Sequence, residues 1–203
     1  MFGWEAFVNE VNDDIDPLIK MALMHYQFEA IHPFSDGNGR TGRILNVLYL
    51  VHKKLLHLPV LYLSDYIIQN KSDYYRLLKE ITEKDAWLEW ISFMLDAIAE
   101  TSILTLKKIS EMLQLKKDTL ERMRNISQKI PAFEVNELIF SFPYIKIKTI
   151  IDYRIDQRQA ASNYLQVLVE MKILVPFKLG REVYFINKAL MELLTKGVGI
   201  NKD

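Results

Sequence analysis

The run Ile31-His32-Pro33-Phe34-Ser35-Asp36-Gly37-Asn38-Gly39-Arg40-Thr41-Gly42-Arg43 constrains this chain more than any other stretch. It gathers a titratable base, a carboxylate, an amide, three glycines and two arginines, none of them suited to a hydrophobic core. Glycines allow sharp turning and close backbone approach to a ligand, and Pro33 fixes the direction in which the chain leaves His32. From Arg40 onward apolar residues recur at helical spacing, so Gly37-Asn38-Gly39 falls where a loop becomes a helix N-terminus. Free backbone N–H groups and the helix dipole make such a place an anion site. Arg40 and Arg43, three residues apart, project from one helix face, and arginine binds phosphate oxygens in bidentate fashion. The predicted chemistry is a phosphate cradle with a histidine at its rim and a carboxylate beside it.

Before the motif, Asp16-Pro17 predicts a helix start, with Asp16 as N-cap and Pro17 in the first turn. Leu18, Ile19, Ala22, Leu23, Tyr26 and Ala30 form its expected apolar stripe, and His25 is read as a packed histidine. Glu29 is read as a surface carboxylate or one that supports the site from behind. The helix after the motif is expected to run from about Arg40 to His57, stop before Pro59, and lie buried through Leu45, Leu48, Tyr49 and Val51. His52 and His57, on this helix, are read as structural. Ser64 and Ser72 are expected N-caps of two short helices. Tyr74 and Tyr75 point about 100° apart on a helix, so one of them belongs to the core. Trp87, Trp90, Ile91, Met94, Leu95 and Ile98 have core spacing, and helical pattern continues from Thr101 to Ser127 as one or two connecting helices.

Pro131 is expected to end that run, and the segment from Pro143 to Leu194 changes character. A short helix near residues 145–151, a longer one over 157–171 and a hairpin over 173–186 turning at Leu179-Gly180 follow in order. That order is the pattern of a winged helix-turn-helix. The predicted fold class is mainly α, a helical bundle over 1–128 followed by a small winged-helix domain over 129–203. The second helix offers Gln157, Arg158, Gln159, Ser162, Asn163 and Gln166 as side chains able to reach base edges. From Lys129 onward there are 11 Lys+Arg and 8 Asp+Glu, a weak basic bias of +3. DNA and protein docking are therefore both open for this domain.

Composition removes several classes. Over 203 residues, Lys+Arg and Asp+Glu are each 26, so no bulk charge draws the chain to nucleic acid. With no cysteine, disulfides and thiolate metal sites are excluded and a reducing cytosol is the expected compartment. No signal peptide and no segment apolar enough for a bilayer are read, so a membrane is not an expected partner.

The string from His32 to Arg43 resembles the active-site motif HPFx[DE]GNGRxxR of the Fic (Fic/Doc) family and fits it at every specified position. The likeness extends through Leu61 to Ile68, Lys71 to Tyr75 and Trp87 to Ile91, and the chain is similar to two-domain bacterial Fic proteins with a C-terminal winged helix. The resemblance implies a protein adenylyltransferase that moves AMP from ATP to a Ser, Thr or Tyr hydroxyl of a protein target. It implies His32 as catalytic base and Asp36 as ligand of Mg²⁺. Gly37, Asn38, Gly39, Arg40, Thr41, Gly42 and Arg43 are implied to bind the nucleotide, with the Tyr75 ring near the adenine. Some relatives transfer other phosphate-containing groups; the intact Gly37-Asn38-Gly39-Arg40 loop argues against the kinase-like variant. Relatives usually carry a target-aligning β-hairpin flap upstream of the motif helix and often an inhibitory [ST]xxxE[GN] helix. Neither is found here, so the resemblance implies an N-terminally truncated Fic protein. A DNA- or protein-binding regulator with an inactive Fic domain is the alternative, and a homodimer is a further expected assembly.

Overall fold

The computed structural model describes residues 2–10, 13–126 and 130–195. The chain divides into two compact units, Met1–Leu106 and Lys107–Asp203. The domain boundary expected between residues 128 and 129 lies outside the described residues. The division into units falls instead inside a 40-residue helix, α6 (Trp87–Ile126). Its last turns belong to the second unit because Met123 joins that unit's core and Lys116 pairs with Glu137 at 2.7 Å. Among the described residues no helix is long and apolar enough to cross a membrane.

The first unit is helical: α1 (Phe2–Asn9), α2 (Pro17–Ile31), α3 (Asn38–His52), α4 (Leu63–Gln69), α5 (Lys71–Lys84) and the start of α6. Asp16 caps α2 as its sequence predicts, its Oδ1 accepting from the Leu18 N–H at 2.8 Å. Burial on α2 is wider than one stripe. Met21, Met24, His25 and Phe28 are buried as well as Ala22, whereas Ala30 is exposed. Lys20 is buried too, because its ammonium bonds the Glu10 carbonyl at 2.6 Å and the Asp13 carboxylate.

Trp90 anchors the core, fully buried, with its indole N–H donating to the Ala22 carbonyl at 2.9 Å. Burying an aromatic of that size stabilises the unit by about 3 kcal/mol. Trp4 ties α1 to α2 in the same way, through the Met24 carbonyl at 2.9 Å.

Three local expectations are corrected. Helix α3 ends at His52, not near residue 57, because Lys53 leaves the helical path and Lys54 takes a positive φ of 61°. Its Leu48 is exposed rather than buried, and His52 and His57 stand exposed as well. Ser64 and Ser72 cap nothing: α4 and α5 follow Tyr62 and Asn70, and the hydroxyl of Ser64 serves Arg43.

The second unit packs α7 (Ala132–Ser141), α8 (Ile147–Asp152), α9 (Arg158–Glu170) and α10 (Lys188–Thr195) with a three-stranded antiparallel sheet. The strands β1 (Tyr144–Ile145), β2 (Leu174–Leu179) and β3 (Glu182–Asn187) lie in the order β1-β3-β2. Gly180, at φ 61°, makes the two-residue turn between Leu179 and Glu182 that glycine favours. Val135, Leu138, Ile139, Ile150, Leu165 and Leu168 form the centre of its core. Neither α7 nor β1 was expected from sequence; β1 is two residues long, too short to carry a period.

Candidate active site

Helices α2 and α3 enclose the motif. The backbone turns out of α2 at His32, whose φ of 48° and ψ of 58° are left-handed, with its N–H bonded to the Phe28 carbonyl. Glycine usually fills such a helix-ending position, and a non-glycine there costs on the order of 1 kcal/mol. The His32 ring is exposed, and its Nδ1 stands 3.4 Å from the Glu29 carbonyl oxygen. A carbonyl only accepts, so this contact favours the Nδ1–H tautomer and leaves Nε2 as the basic nitrogen.

The loop closes on itself before α3 begins. Asn38 is buried, and its Oδ1 accepts from the Phe34 N–H at 2.9 Å while its Nδ2 donates to the Phe34 carbonyl. Gly37 then turns the chain with φ 86°, and its carbonyl accepts the first helical bond, from the Thr41 N–H. The amides of Asn38, Gly39 and Arg40 have no acceptor within the helix, the general condition of a helix start.

Charged side chains surround that helix end. Asp36 is exposed, one oxygen accepting from the Gly37 N–H at 2.7 Å and the other from Arg40 at 3.0 Å. Arg43 leans the other way, its Nε donating to Ser64 Oγ at 2.8 Å. A cavity of about 240 Å³ lies beside Arg43, lined also by Ile67, Ile68, Lys71, Tyr74 and Tyr75. Of the two tyrosines, Tyr74 is the core residue and Tyr75 is 59% exposed, and their rings meet edge to face at 5.3 Å.

Behind the loop lies a buried polar layer. The neutral form of His25 is strongly favoured: burial first, then the Arg43 charge, push its pKa down to about 3. Its Nε2 is 3.0 Å from the Tyr74 hydroxyl, and its ring stacks on Trp90. Gly42 is where α2 and α3 touch; a Cβ there would stand 2.9 Å from Glu29 Oε1 and 3.0 Å from His25 Cε1. Gly42 therefore faces the interior and Glu29, whereas Asp36, Gly37, Gly39 and Arg40 border the open side.

The structure thus brings His32, Asp36, Gly37, Asn38, Gly39, Arg40 and Arg43 together around one helix start, and sets Tyr75 on the cavity that Arg43 also lines. The side-chain amide of Asn38 is occupied in closing the loop, which sequence alone does not reveal. Ser64 was missed as a partner of Arg43, since nothing local links residues 21 apart. No group of three or more His, Cys, Asp or Glu fit to hold a metal occurs among the described residues. A lone exposed carboxylate such as Asp36 still suits Mg²⁺, which takes one or two protein oxygens and fills the rest with phosphate oxygens and water.

A loop of this composition at a helix start has the chemistry of an anion site, and comparison with known proteins narrows the reading. A Fic/DOC family model matches residues 1–50, and a model of the C-terminal domain of SoFic-like protein adenylyltransferases matches residues 115–190. A protein adenylyltransferase Fic of Drosophila grimshawi is 34% identical over 115 residues, 56% of this chain and 22% of that protein. That of Drosophila melanogaster is 30% identical over 150 residues, covering 68% of this chain and 29% of the relative. A probable protein adenylyltransferase of Aquifex aeolicus is 41% identical over 69 residues, 34% of this chain and 19% of its own length. The crystal structure of a Fic family protein from Desulfovibrio desulfuricans aligns with 22% identity over 92% of this chain and 53% of that one, at a TM-score of 0.47. Over residues 1–50 the chain is similar to the Fic/DOC family, and over residues 115–190 to the C-terminal domain of SoFic-like proteins. It spans under a third of the length of these curated relatives, 22%, 29% and 19% in the order given.

Proposed function

We propose that the chain is a protein adenylyltransferase, transferring AMP from ATP to a hydroxyl side chain of a protein. The observation that carries this reading is the full run from His32 to Arg43 wrapped around the start of α3, in a chain whose relatives are named protein adenylyltransferases. The nucleotide's phosphates lie on the amides of Gly37, Asn38 and Gly39, where the helix dipole favours negative charge. Arg40 and Arg43 take the β- and γ-phosphates, with Thr41 and Gly42 shaping the turn beneath. The adenine enters the cavity beside Tyr75. Asp36 would hold Mg²⁺, and the ion would supply positive charge beside the phosphates.

His32 Nε2 removes the proton of the incoming hydroxyl, and that oxygen forms a bond to the α-phosphorus. The bond from the α-phosphorus to the bridging oxygen breaks, and pyrophosphate leaves. Positioning and fixed charge supply most of the rate enhancement in such transfers. For Asp36 to reach a metal, its contact with Arg40 must open, which costs little because both side chains are exposed. Incubation with ATP and Mg²⁺ followed by intact-mass measurement tests the reading: wild type gains the mass of AMP and His32→Ala does not. A His32→Ala variant that is labelled as fast as wild type refutes it.

A second reading concerns residues 107–203. On α9, Arg158, Gln159, Asn163 and Gln166 are exposed, and Lys178 and Arg181 flank the tip of the β2–β3 turn. That surface favours DNA as a partner of a winged helix. Fluorescence anisotropy with duplex DNA should show binding that weakens steeply with salt; salt-independent or absent binding removes it. Sedimentation tests the expected homodimer, and fractionation the expected cytoplasmic location.

A further inference from the structure

Glu29 is a charged group that the mechanism above leaves idle. It lies on α2, four residues after His25 and three before His32, and its Oε1 is buried with no hydrogen-bond partner. Leaving a carboxylate oxygen so costs free energy, and if Glu29 served only to pack two helices, an apolar residue such as leucine would do so without that cost. Its surroundings suggest why the charge is kept. A Cβ placed on Gly39 would stand 3.1 Å from Arg43 Nη1 and 3.7 Å from Glu29 Oε1, so the two charged groups converge beneath the first turn of α3. Burial drives the Glu29 pKa upward, and the positive charge of Arg43 opposes the rise. Arg43 is bonded to Ser64 through its Nε, and the Glu29 carboxylate, not paired with it directly, acts on it through charge across the space beneath Gly39.

We propose that Glu29 is a positioning residue: its carboxylate, seated under Gly39 and Gly42, holds the Arg43 guanidinium where it meets the terminal phosphates of the nucleotide. The proposal rests on the nucleotide site described above and adds to it the group that orients one of its arginines. Both glycines are part of the device, since a side chain at Gly42 would displace the carboxylate. The role is electrostatic and confined to one arginine, so removing the charge weakens ligands that reach Arg43 and spares those that do not.

Calorimetric titration of this chain with ATP and, separately, with AMP tests it. In Glu29→Gln the dissociation constant for ATP is expected to rise about tenfold, the size of one lost charge interaction, while that for AMP stays at the wild-type value. In an Arg43→Ala background, Glu29→Gln should add no further loss for ATP. Equal losses for ATP and AMP mark a merely structural residue and overturn the proposal, as does unchanged ATP binding. Glu29→Asp, which keeps the charge and retracts it by one methylene, carries the same comparison with a smaller expected loss if the glutamine variant does not fold. A wild type that binds ATP beside a variant that matches it overturns this proposal alone; a wild type that binds neither nucleotide overturns the site itself.

Discussion

The side chain of Asn38 holds Phe34 by both backbone groups, accepting from its N–H at 2.9 Å and donating to its carbonyl. The residue that opens α3 thereby fastens the loop that precedes it, and His32 at one end is fixed relative to Arg40 and Arg43 at the other. Two neutral hydrogen bonds to a buried amide contribute about 2 kcal/mol. Asn38→Ala is expected to lower unfolding stability by about that amount and to reduce AMP transfer more than ATP affinity, because it misplaces the base rather than removing a phosphate ligand. Denaturant unfolding beside steady-state kinetics measures both. A variant with wild-type stability would show that the loop is held by other means.

His32 is expected to show a conflict between stability and chemistry. Its left-handed backbone suits glycine, and glycine there makes no steric demand. His32→Gly should stabilise the fold by up to about 1 kcal/mol while abolishing AMP transfer. Thermal denaturation and mass spectrometry on the same sample read the two effects. A destabilised His32→Gly would mean that the ring contributes packing that its exposure does not suggest.

Acid should unfold the first unit through His25. Unfolded histidine titrates near 6.5, and the folded residue is held down to about 3 by burial and by Arg43. Between those values the unfolded chain binds the extra proton. The contribution of His25 is therefore complete above about pH 6.5 and declines as pH falls, by about 1.4 kcal/mol per unit. Glu29 works in the opposite sense, since its raised pKa favours the protonated form in the fold. His25→Gln removes the titration, so its stability should fall less steeply between neutral pH and pH 5 than that of wild type. Equal slopes in urea unfolding would assign the acid sensitivity elsewhere.

The legibility of this chain in sequence follows the range of the interactions involved. The Asp16-Pro17 start and the loop before α3 are local, set by residues a few positions apart, and both stand where the residues predict. Ser64 has the composition of a helix cap, and the cap was predicted; a guanidinium 21 residues earlier claims its hydroxyl instead. His25 reads as a packed histidine from its place on an apolar helix, and it is one, yet its bond to Tyr74 spans 49 residues and leaves no trace in any spacing. The stretch from Thr101 is open in sequence to one or two connecting helices, and the fold makes it part of one helix, α6, that starts at Trp87. Local chemistry is legible, and partners brought in by the fold are not.

Tyr74 and Tyr75 allow that difference to be measured. Adjacent in sequence, they divide between core and surface: Tyr74 is 3% exposed and bonded to His25, and Tyr75 is 59% exposed beside the cavity lined by Arg43 and Lys71. Tyr75→Ala removes little buried surface and should leave stability within about 0.5 kcal/mol of wild type. Loss of an aromatic wall for a nucleobase costs about 1–3 kcal/mol in binding, so ATP and AMP should both weaken by tenfold or somewhat more. Tyr74→Phe should do the reverse, costing about 1 kcal/mol of stability through the lost bond to His25 and little nucleotide affinity. Nucleotide titration and urea unfolding of the two variants give four numbers. If Tyr75→Ala binds AMP as wild type does, the base does not rest on Tyr75, and the cavity beside Arg43 is not where the adenine sits.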